Sequence, residues 1–432
     1  MISIATLNSA TFITLLGRVL SSIFGMLLLF IILTYTSEQL QGYYYLVLAV
    51  VGIQLFFDLG MTTAVSQELA WIRANSSYGG NRGLVITGFI FSALKLYFLI
   101  SFVLVIAVYL YGHVVLSESN EFNNFYWALI SLFVGLSYFT SGLLSISNGF
   151  QHVTNVAMLT SIKSIINIIV SGFFLYLTSD INLSIFLGLL SSVLLTLFIF
   201  IYLYIDQLLE FRGSPSVKYY WRDGLLVFQT KLMISWFSGY ALTHGMVLYV
   251  NYRFDIIEAG KFGAASQIIT YVASFIFSIL SVSQTTIGNY FSQGEMGKAL
   301  ELFKNRVFFI FLFLTVFFLF FISIFQVLSG YNWFDLIILR IPDSGSFIWI
   351  SLLLLITLSN YSLSSFFRAL KEDPFWIFGI LQLFFLYSYL YLFSGDVIIL
   401  NDVYIPLVLT SLIFGFFPAL YMAKILVKKL NV

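Results

Sequence analysis

The sequence predicts an all-α integral membrane protein, and three observations carry that reading. Of its 432 residues 60% are hydrophobic and 9% charged, far short of the ~25% charged share that a solvated globular surface draws on. The apolar stretches are long and recur, each able to supply the ~20 residues that a spanning helix needs. Lys and Arg, finally, collect in alternate connections between those stretches, as the orientation rule for membrane proteins requires.

Taken in order, the expected spans cover 10–34, 42–65, 84–111, 125–147, 153–178 and 181–205, then 223–249, 262–288, 305–329, 345–367, 374–395 and 402–424. Arg18 interrupts the first apolar run and no small-residue cleavage site follows it, so this segment reads as a retained helix and not as a signal peptide. No charged residue lies between Asp180 and Asp206, Asp343 and Arg368, Asp373 and Asp396, or Asp402 and Lys424, which defines four of the spans well. The fourth and fifth share an uncharged run from Phe122 to Ile162 and divide at the polar turn Ser147-Asn148-Gly149-Phe150-Gln151-His152.

With the N-terminus inside, the inner connections and the tail carry Arg73, Arg82, Arg212, Lys218, Arg222, Lys298, Lys304, Arg306, Arg368, Lys371 and Lys424, whereas the outer ones hold mainly acidic residues such as Glu118, Glu121, Asp180, Asp343 and Asp402. An even number of spans, about twelve of the length a bilayer sets, with both termini cytoplasmic, produces this alternation. The longest inner connection holds Gly213-Ser214-Pro215 near the middle of the chain. The expected organisation is therefore an N-terminal six-helix lobe over 1–208, an inter-lobe linker over 209–222 and a C-terminal six-helix lobe over 223–432, the two bundles surrounding a central cavity. Gln41-Gly42-Tyr43 and Ala259-Gly260-Lys261 open the second helix of each half, with Met61-Thr62-Thr63 and Gln284-Thr285-Thr286 later in the same helices, a weak internal repeat.

Composition also excludes. The absence of cysteine removes disulfides, thiolate metal sites and cysteine nucleophiles, and histidines at 113, 152 and 244 lack zinc-ligand spacing. A net charge of +1 offers nothing to nucleic acid. No cofactor motif is present.

Charge inside the bilayer costs roughly 2.5–3.5 kcal/mol per residue on insertion scales and marks candidate function. Arg18, Lys95, Lys163 and Lys231 fall in the first, third, fifth and seventh spans, and Asp58 in the second. Each lies on a stripe of polar or small residues: Gly17, Ser21 and Gly25 beside Arg18; Gly88 and Ser92 with Lys95; Asn167 and Ser171 with Lys163; Ser235 and Ser238 with Lys231; Gln54 and Thr62 with Asp58. Such stripes fit the wall of a hydrated cationic cavity suited to a phosphate, or ordinary helix packing in lipid; Arg18 and Lys231 are also near enough to their cytoplasmic ends to snorkel. Asp58 is either a coupling-cation site or a charge partner for one of the bases, and His244 a candidate for a proton-linked role.

The segment Phe56-Phe57-Asp58-Leu59-Gly60-Met61-Thr62-Thr63-Ala64 resembles the end of the second helix in the polysaccharide-exporter branch of the multidrug, oligosaccharidyl-lipid and polysaccharide exporter (MOP) superfamily. Ala259-Gly260-Lys261-Phe262-Gly263-Ala264-Ala265 looks like that family's opening of the eighth helix, and Ser147-Asn148-Gly149-Phe150-Gln151 is similar to its fourth-to-fifth turn. The resemblance implies an O-antigen or capsule-unit flippase of the bacterial inner membrane, moving an undecaprenyl-pyrophosphate-linked oligosaccharide outward by alternating access, with basic cavity residues on the pyrophosphate and a possible coupling ion, H+ or Na+. Outward movement of a diphosphate is downhill across an inside-negative membrane, by ~2.3 kcal/mol per charge per 100 mV. A drug or cation antiporter of the same superfamily is the first alternative, although Asp58 alone would serve its cations. A membrane polymerase or ligase acting on the same lipid is the second. It is disfavoured because the outer segments are short and carry no nucleophile–base pair, so the chain reads as a non-enzyme.

Overall fold

A computed structural model of the chain describes residues 9–58, 60–74, 82–150, 152–210, 223–268, 270–271, 287, 290, 295–328, 339–342, 344–369, 375–393 and 401–430. Among these, regular structure is helical throughout. The helices are α1 (Ser9–Tyr35), α2 (Glu38–Val51), α3 (Gln54–Asp58), α4 (Met61–Ala74), α5 (Arg82–Leu116), α6 (Asn124–Gly149), α7 (Val153–Thr178), α8 (Ile181–Glu210) and α9 (Asp223–Arg253). They continue as α10 (256–268), α11 (Met296–Leu328), α12 (Ser344–Ala369), α13 (Trp376–Leu392), α14 (Asn401–Ser411), a π-turn (Leu412–Phe416) and α15 (Phe417–Leu430). Seven stretches of the described residues are long and apolar enough to cross a membrane, among them Leu16–Tyr35, Gly83–Leu116, Asn124–Gly149 and Asn401–Met422. The inter-lobe segment 211–222 and the repeat element 284–286 lie outside the described residues.

The second expected span, 42–65, is not one helix. It breaks at Gly52-Ile53 and again at Gly60, whose φ of 69° lies in the left-handed region that glycine enters without a Cβ clash. The last expected span is likewise divided, by Pro406 within α14 and by the π-turn after it. Elsewhere the ends follow local signals. Asn123 caps α6 by accepting from the backbone N–H groups of Phe125 and Tyr126, and Asp180 Oδ1 accepts from Leu183 N at 3.1 Å to start α8.

The chain packs as two units, one comprising 1–35 and 47–233, the other 36–46 and 234–432. In the first, α1 lies on α7, α7 on α8, α5 on α6, and α6 also against α4 and α8. Glycines set the helix separations in the manner of small-residue seams in lipid. A Cβ on Gly17 would sit 1.9 Å from Ser161 Oγ, and one on Gly142 would enter the Tyr97 ring at 2.5 Å. Trp127, fully buried, lies over Gly112 and donates its indole N–H to Tyr109 O at 3.1 Å.

In the second unit the start of α2 docks on α10. A Cβ on Gly260 would lie 3.0 Å from Gly42 Cα, and one on Gly263 would meet the Tyr45 ring at 2.3 Å. Gln41 Nε2 donates to Gly260 O at 3.1 Å and to Arg340 O at 3.0 Å, and the Arg340 guanidinium donates to Thr36 O. The two glycine motifs read as repeat counterparts are thus in contact with each other. Ile287, Ala299, Phe303, Leu363 and Ala419 form an apolar cluster of this unit.

Gly17→Val, which forces a branched side chain into the α1–α7 seam, is expected to destabilise the purified protein by ~1–3 kcal/mol. Gly83→Val, where nothing lies within 4 Å of the added Cβ, is expected to leave thermal unfolding in detergent unchanged.

Candidate functional site

The intramembrane charges divide into distinct settings. Gly17 and Gly25 are buried along the face of α1 that meets α7, so the stripe beside Arg18 is a packing seam, and Arg18 itself is exposed one position around the helix. Lys95 does not share the surroundings of Gly88. Gly88 is buried, whereas Lys95 is exposed on a stripe with the exposed Phe91, Phe98, Leu99 and Phe102. Seven positions, nearly two turns, keep 88 and 95 on one face of α5; what differs is depth along the helix, since that face is covered at Gly88 and open from Phe91 onward.

Lys163 is held within the first unit. Its Nζ donates to Ser137 O at 3.2 Å and to Thr140 Oγ1 at 3.1 Å, both on α6 and both neutral. The rest of its sequence row serves packing: Ser171 Oγ donates to Asn167 Oδ1 at 3.3 Å, and both press against Gly188 of α8. Among the described residues the ion pairs are Lys261–Glu258 at 2.6 Å and Lys298–Glu295 at 2.9 Å, so no carboxylate compensates Lys163.

Asp58 closes α3 at the break before Gly60, and Thr62 on the next helix donates its hydroxyl to Asp58 Oδ2 at 2.9 Å. An anion just ahead of α4 also suits that helix's positive N-terminal end. Among the described residues no base pairs with Asp58. Instead, two tyrosines from α5 and α6, Tyr97 and Tyr138, interact with it electrostatically, their rings 5.5 Å apart. Asp58 Oδ1, Tyr97 Oη and Tyr138 Oη are buried without a hydrogen-bond partner among the described residues, and Ser145 braces the site by donating to Thr62 O. One carboxylate oxygen and two phenol oxygens left open at one place can receive a proton or a small hard cation. His244, on α9, lies against the Tyr240 ring with centroids 5.7 Å apart.

The second unit holds a cavity of about 260 Å3, bounded by α9, α10, α12, α13, α14 and the π-turn. Ser235 and Ser238, read from the sequence as companions of Lys231, line it, and Lys231 lies one turn, ~6 Å, before Ser235 on the same face of α9. Most of its polar lining escaped the sequence reading: Thr243, Thr357, Asn360, Gln382 and Ser411. The signal was present, since Thr357, Asn360 and Ser364 recur at helical spacing within an uncharged span. Gln382 Nε2 donates to Ser411 Oγ at 2.7 Å across the buried end. Among the described residues no group of three or more acidic or histidine side chains is placed to hold a metal ion.

The cysteine-free chain allows the cavity to be probed directly. Thr243→Cys, at an exposed lining position, is expected to react with a water-borne thiosulfonate reagent in the folded protein, and Ser131→Cys, fully buried within α6, only after unfolding. Equal labelling of both, or of neither, would count against a hydrated cavity.

No family model and no curated protein matches this sequence. Solved structures do. An outward-facing multidrug resistance MATE family transporter of the MOP superfamily aligns with 98% of this chain and 96% of its own, with a TM-score of 0.68 and 16% identity. A MATE structure in complex with MaD3S covers the same shares at a TM-score of 0.69 and 14% identity. A MOP superfamily transporter from Pyrococcus furiosus, described as having a binding pocket of reversed polarity that suggests a different function, aligns over 98% and 96% with a TM-score of 0.68 and 15% identity. The chain is an all-helical protein with the fold of the MATE transporters of the MOP superfamily.

Proposed function

We propose that this protein is a transporter of the bacterial inner membrane that flips an undecaprenyl-pyrophosphate-linked oligosaccharide, an O-antigen or capsule unit, from the cytoplasmic to the periplasmic leaflet. The observation that carries this reading is Lys163, an ammonium inside the first unit with two neutral acceptors and, among the described residues, no carboxylate partner. A buried charge that the protein leaves uncompensated is unfavourable until a ligand of opposite sign arrives. Lys231, one turn before the cavity residue Ser235 on α9, has the same sign, whereas Arg18 and Lys95 are exposed on their helices. A diphosphate between a prenyl tail and a glycan matches that excess, and the membrane potential favours its outward passage. In this reading residues 1–208 and 223–432 act as six-helix lobes joined by 209–222, with twelve spans and both termini cytoplasmic, and alternate access around the substrate. Asp58, with Tyr97 and Tyr138, takes the coupling ion, H+ or Na+, and His244 is a second candidate for that part. The protein performs no covalent chemistry.

A multidrug or cation antiporter is the second reading. It is favoured by the multidrug resistance transporter among the solved structures that share the fold and by the open carboxylate oxygen of Asp58.

In a strain lacking the protein, complete lipid-linked units are expected to accumulate in the cytoplasmic leaflet, out of reach of a lectin that cannot cross the membrane. The wild-type chain restores exposure, and Lys163→Met restores it at least tenfold less. Units that reach the periplasmic leaflet normally without the protein would sink the flippase reading, and Asp58-dependent efflux of ethidium would put the antiporter in its place.

A further inference from the structure

The geometry points to the cavity of the second unit as a binding site for one uncharged, hydroxyl-bearing ring, a single sugar residue of the transported glycan; this rests on the flippase reading and adds to it where the glycan is recognised. Among the described residues, the cavity wall carries no Asp, Glu, Lys, Arg or His. Much of its polarity comes from hydroxyls whose protons are already committed. Ser238 donates to Ser235 O at 2.8 Å, Thr243 to Gly239 O at 2.9 Å, Thr270 to Ser266 O at 2.9 Å and Thr357 to Leu353 O at 2.7 Å. Each hydroxyl returns its proton to its own helix and keeps its oxygen lone pairs for a visitor. Asn360 adds a buried carbonyl oxygen with no partner among the described residues.

A wall of acceptors selects a ligand that brings donors. An anion would meet lone pairs and no cation. An organic cation would be desolvated with no counter-charge to replace its water. A neutral ring bearing several O–H and N–H groups satisfies the acceptors at no such cost. The remaining wall is apolar, with Phe378 and Phe414 among its aromatic residues, backed by the stacked and buried pair Phe262 and Tyr404. These suit the apolar C–H face of a sugar. The volume of about 260 Å3 lies just under the ~300–1,000 Å3 of sites for drug-sized ligands, which fits a single ring. The π-turn Leu412–Phe416 places Phe414 and Gly415 in this wall, and irregular turns of this kind recur at functional sites.

Gly239 makes the proposal testable. It lines the cavity, and a Cβ there meets nothing within 4 Å, so the side chain of Gly239→Leu starts in open space and takes up part of it. The full chain in nanodiscs is titrated with glucose, galactose and N-acetylglucosamine, read by saturation-transfer NMR, with gluconate and tetraphenylphosphonium as charged controls. Farnesyl diphosphate serves as a separate probe of the anion site. At least one sugar is expected to give a saturable signal that Gly239→Leu weakens tenfold or more. Thr357→Val, which removes one acceptor at nearly constant volume, should weaken it about fivefold, the effect of one net hydrogen bond. Farnesyl diphosphate binding and thermal unfolding should not change; if Gly239→Leu lowers stability, Thr357→Val decides. A sugar signal insensitive to both variants, or no signal from any of the three, overturns the proposal. So does tetraphenylphosphonium binding that Gly239→Leu abolishes, which would make the cavity a cation pocket. Failure of farnesyl diphosphate to bind, with the sugar response intact, would tell instead against the flippase reading.

Discussion

The hydrocarbon interior of a membrane offers no hydrogen-bond partner, and the internal arrangement of this protein follows from that. Regular structure among the described residues is helical, and many polar side chains within the helices bond their own backbone. Ser21 donates to Gly17 O, Ser92 to Gly88 O, Ser131 to Trp127 O and Thr160 to Val156 O. Where the helix is interrupted, a side chain answers for the loss: Thr62 bonds Asp58 at the break in the second span, and Thr410 bonds Pro406 O and Leu407 O ahead of the π-turn. Against that background two polar groups stand out.

One is the group around Asp58, Tyr97 and Tyr138 in the first unit, where three buried oxygens lack partners among the described residues. The other is the cavity of the second unit, where hydroxyls bonded to their own helices leave their lone pairs to the space. The two differ in kind. The first carries a formal charge and two phenols on closely packed helices and suits a small ion. The second is neutral, larger and partly aromatic and suits a ring. Lys163 lies on the far side of this distinction, a cation braced by Ser137 O and Thr140.

Close helix contact depends on glycine throughout. Gly17 admits Ser161, Gly142 admits the Tyr97 ring and Gly188 admits Ser171 and Asn167. The meeting of Gly42 and Gly260 belongs to the same class and brings together the two motifs that mark the internal repeat. Backbone contact at such a crossing leaves no room for a side chain on either helix, so one residue type satisfies both positions.

Much was legible in the sequence because lipid imposes a strong and local rule. Helical segments expected at 153–178 and 345–367 correspond to Val153–Thr178 and Ser344–Ala369, since apolar runs of that length have one stable conformation in a bilayer. The turn expected at 147–152 begins later, since α6 runs through Gly149 and α7 starts at Val153. What periodicity cannot state is what a face meets. Gly17-Ser21-Gly25 and Ser235-Ser238 look alike as small polar stripes, yet the first closes against α7 and the second opens on a cavity. Lys95 shares its helix with Gly88 but lies among exposed phenylalanines. The pairing of Tyr97 with Tyr138 and the convergence of Thr243, Thr357, Asn360 and Gln382 join residues remote in sequence. The sequence by itself determined which segments are helices and which charges are costly; the tertiary structure alone decided which of those helices touch, because packing depends on the angular position of each side chain against a neighbour that no local pattern identifies.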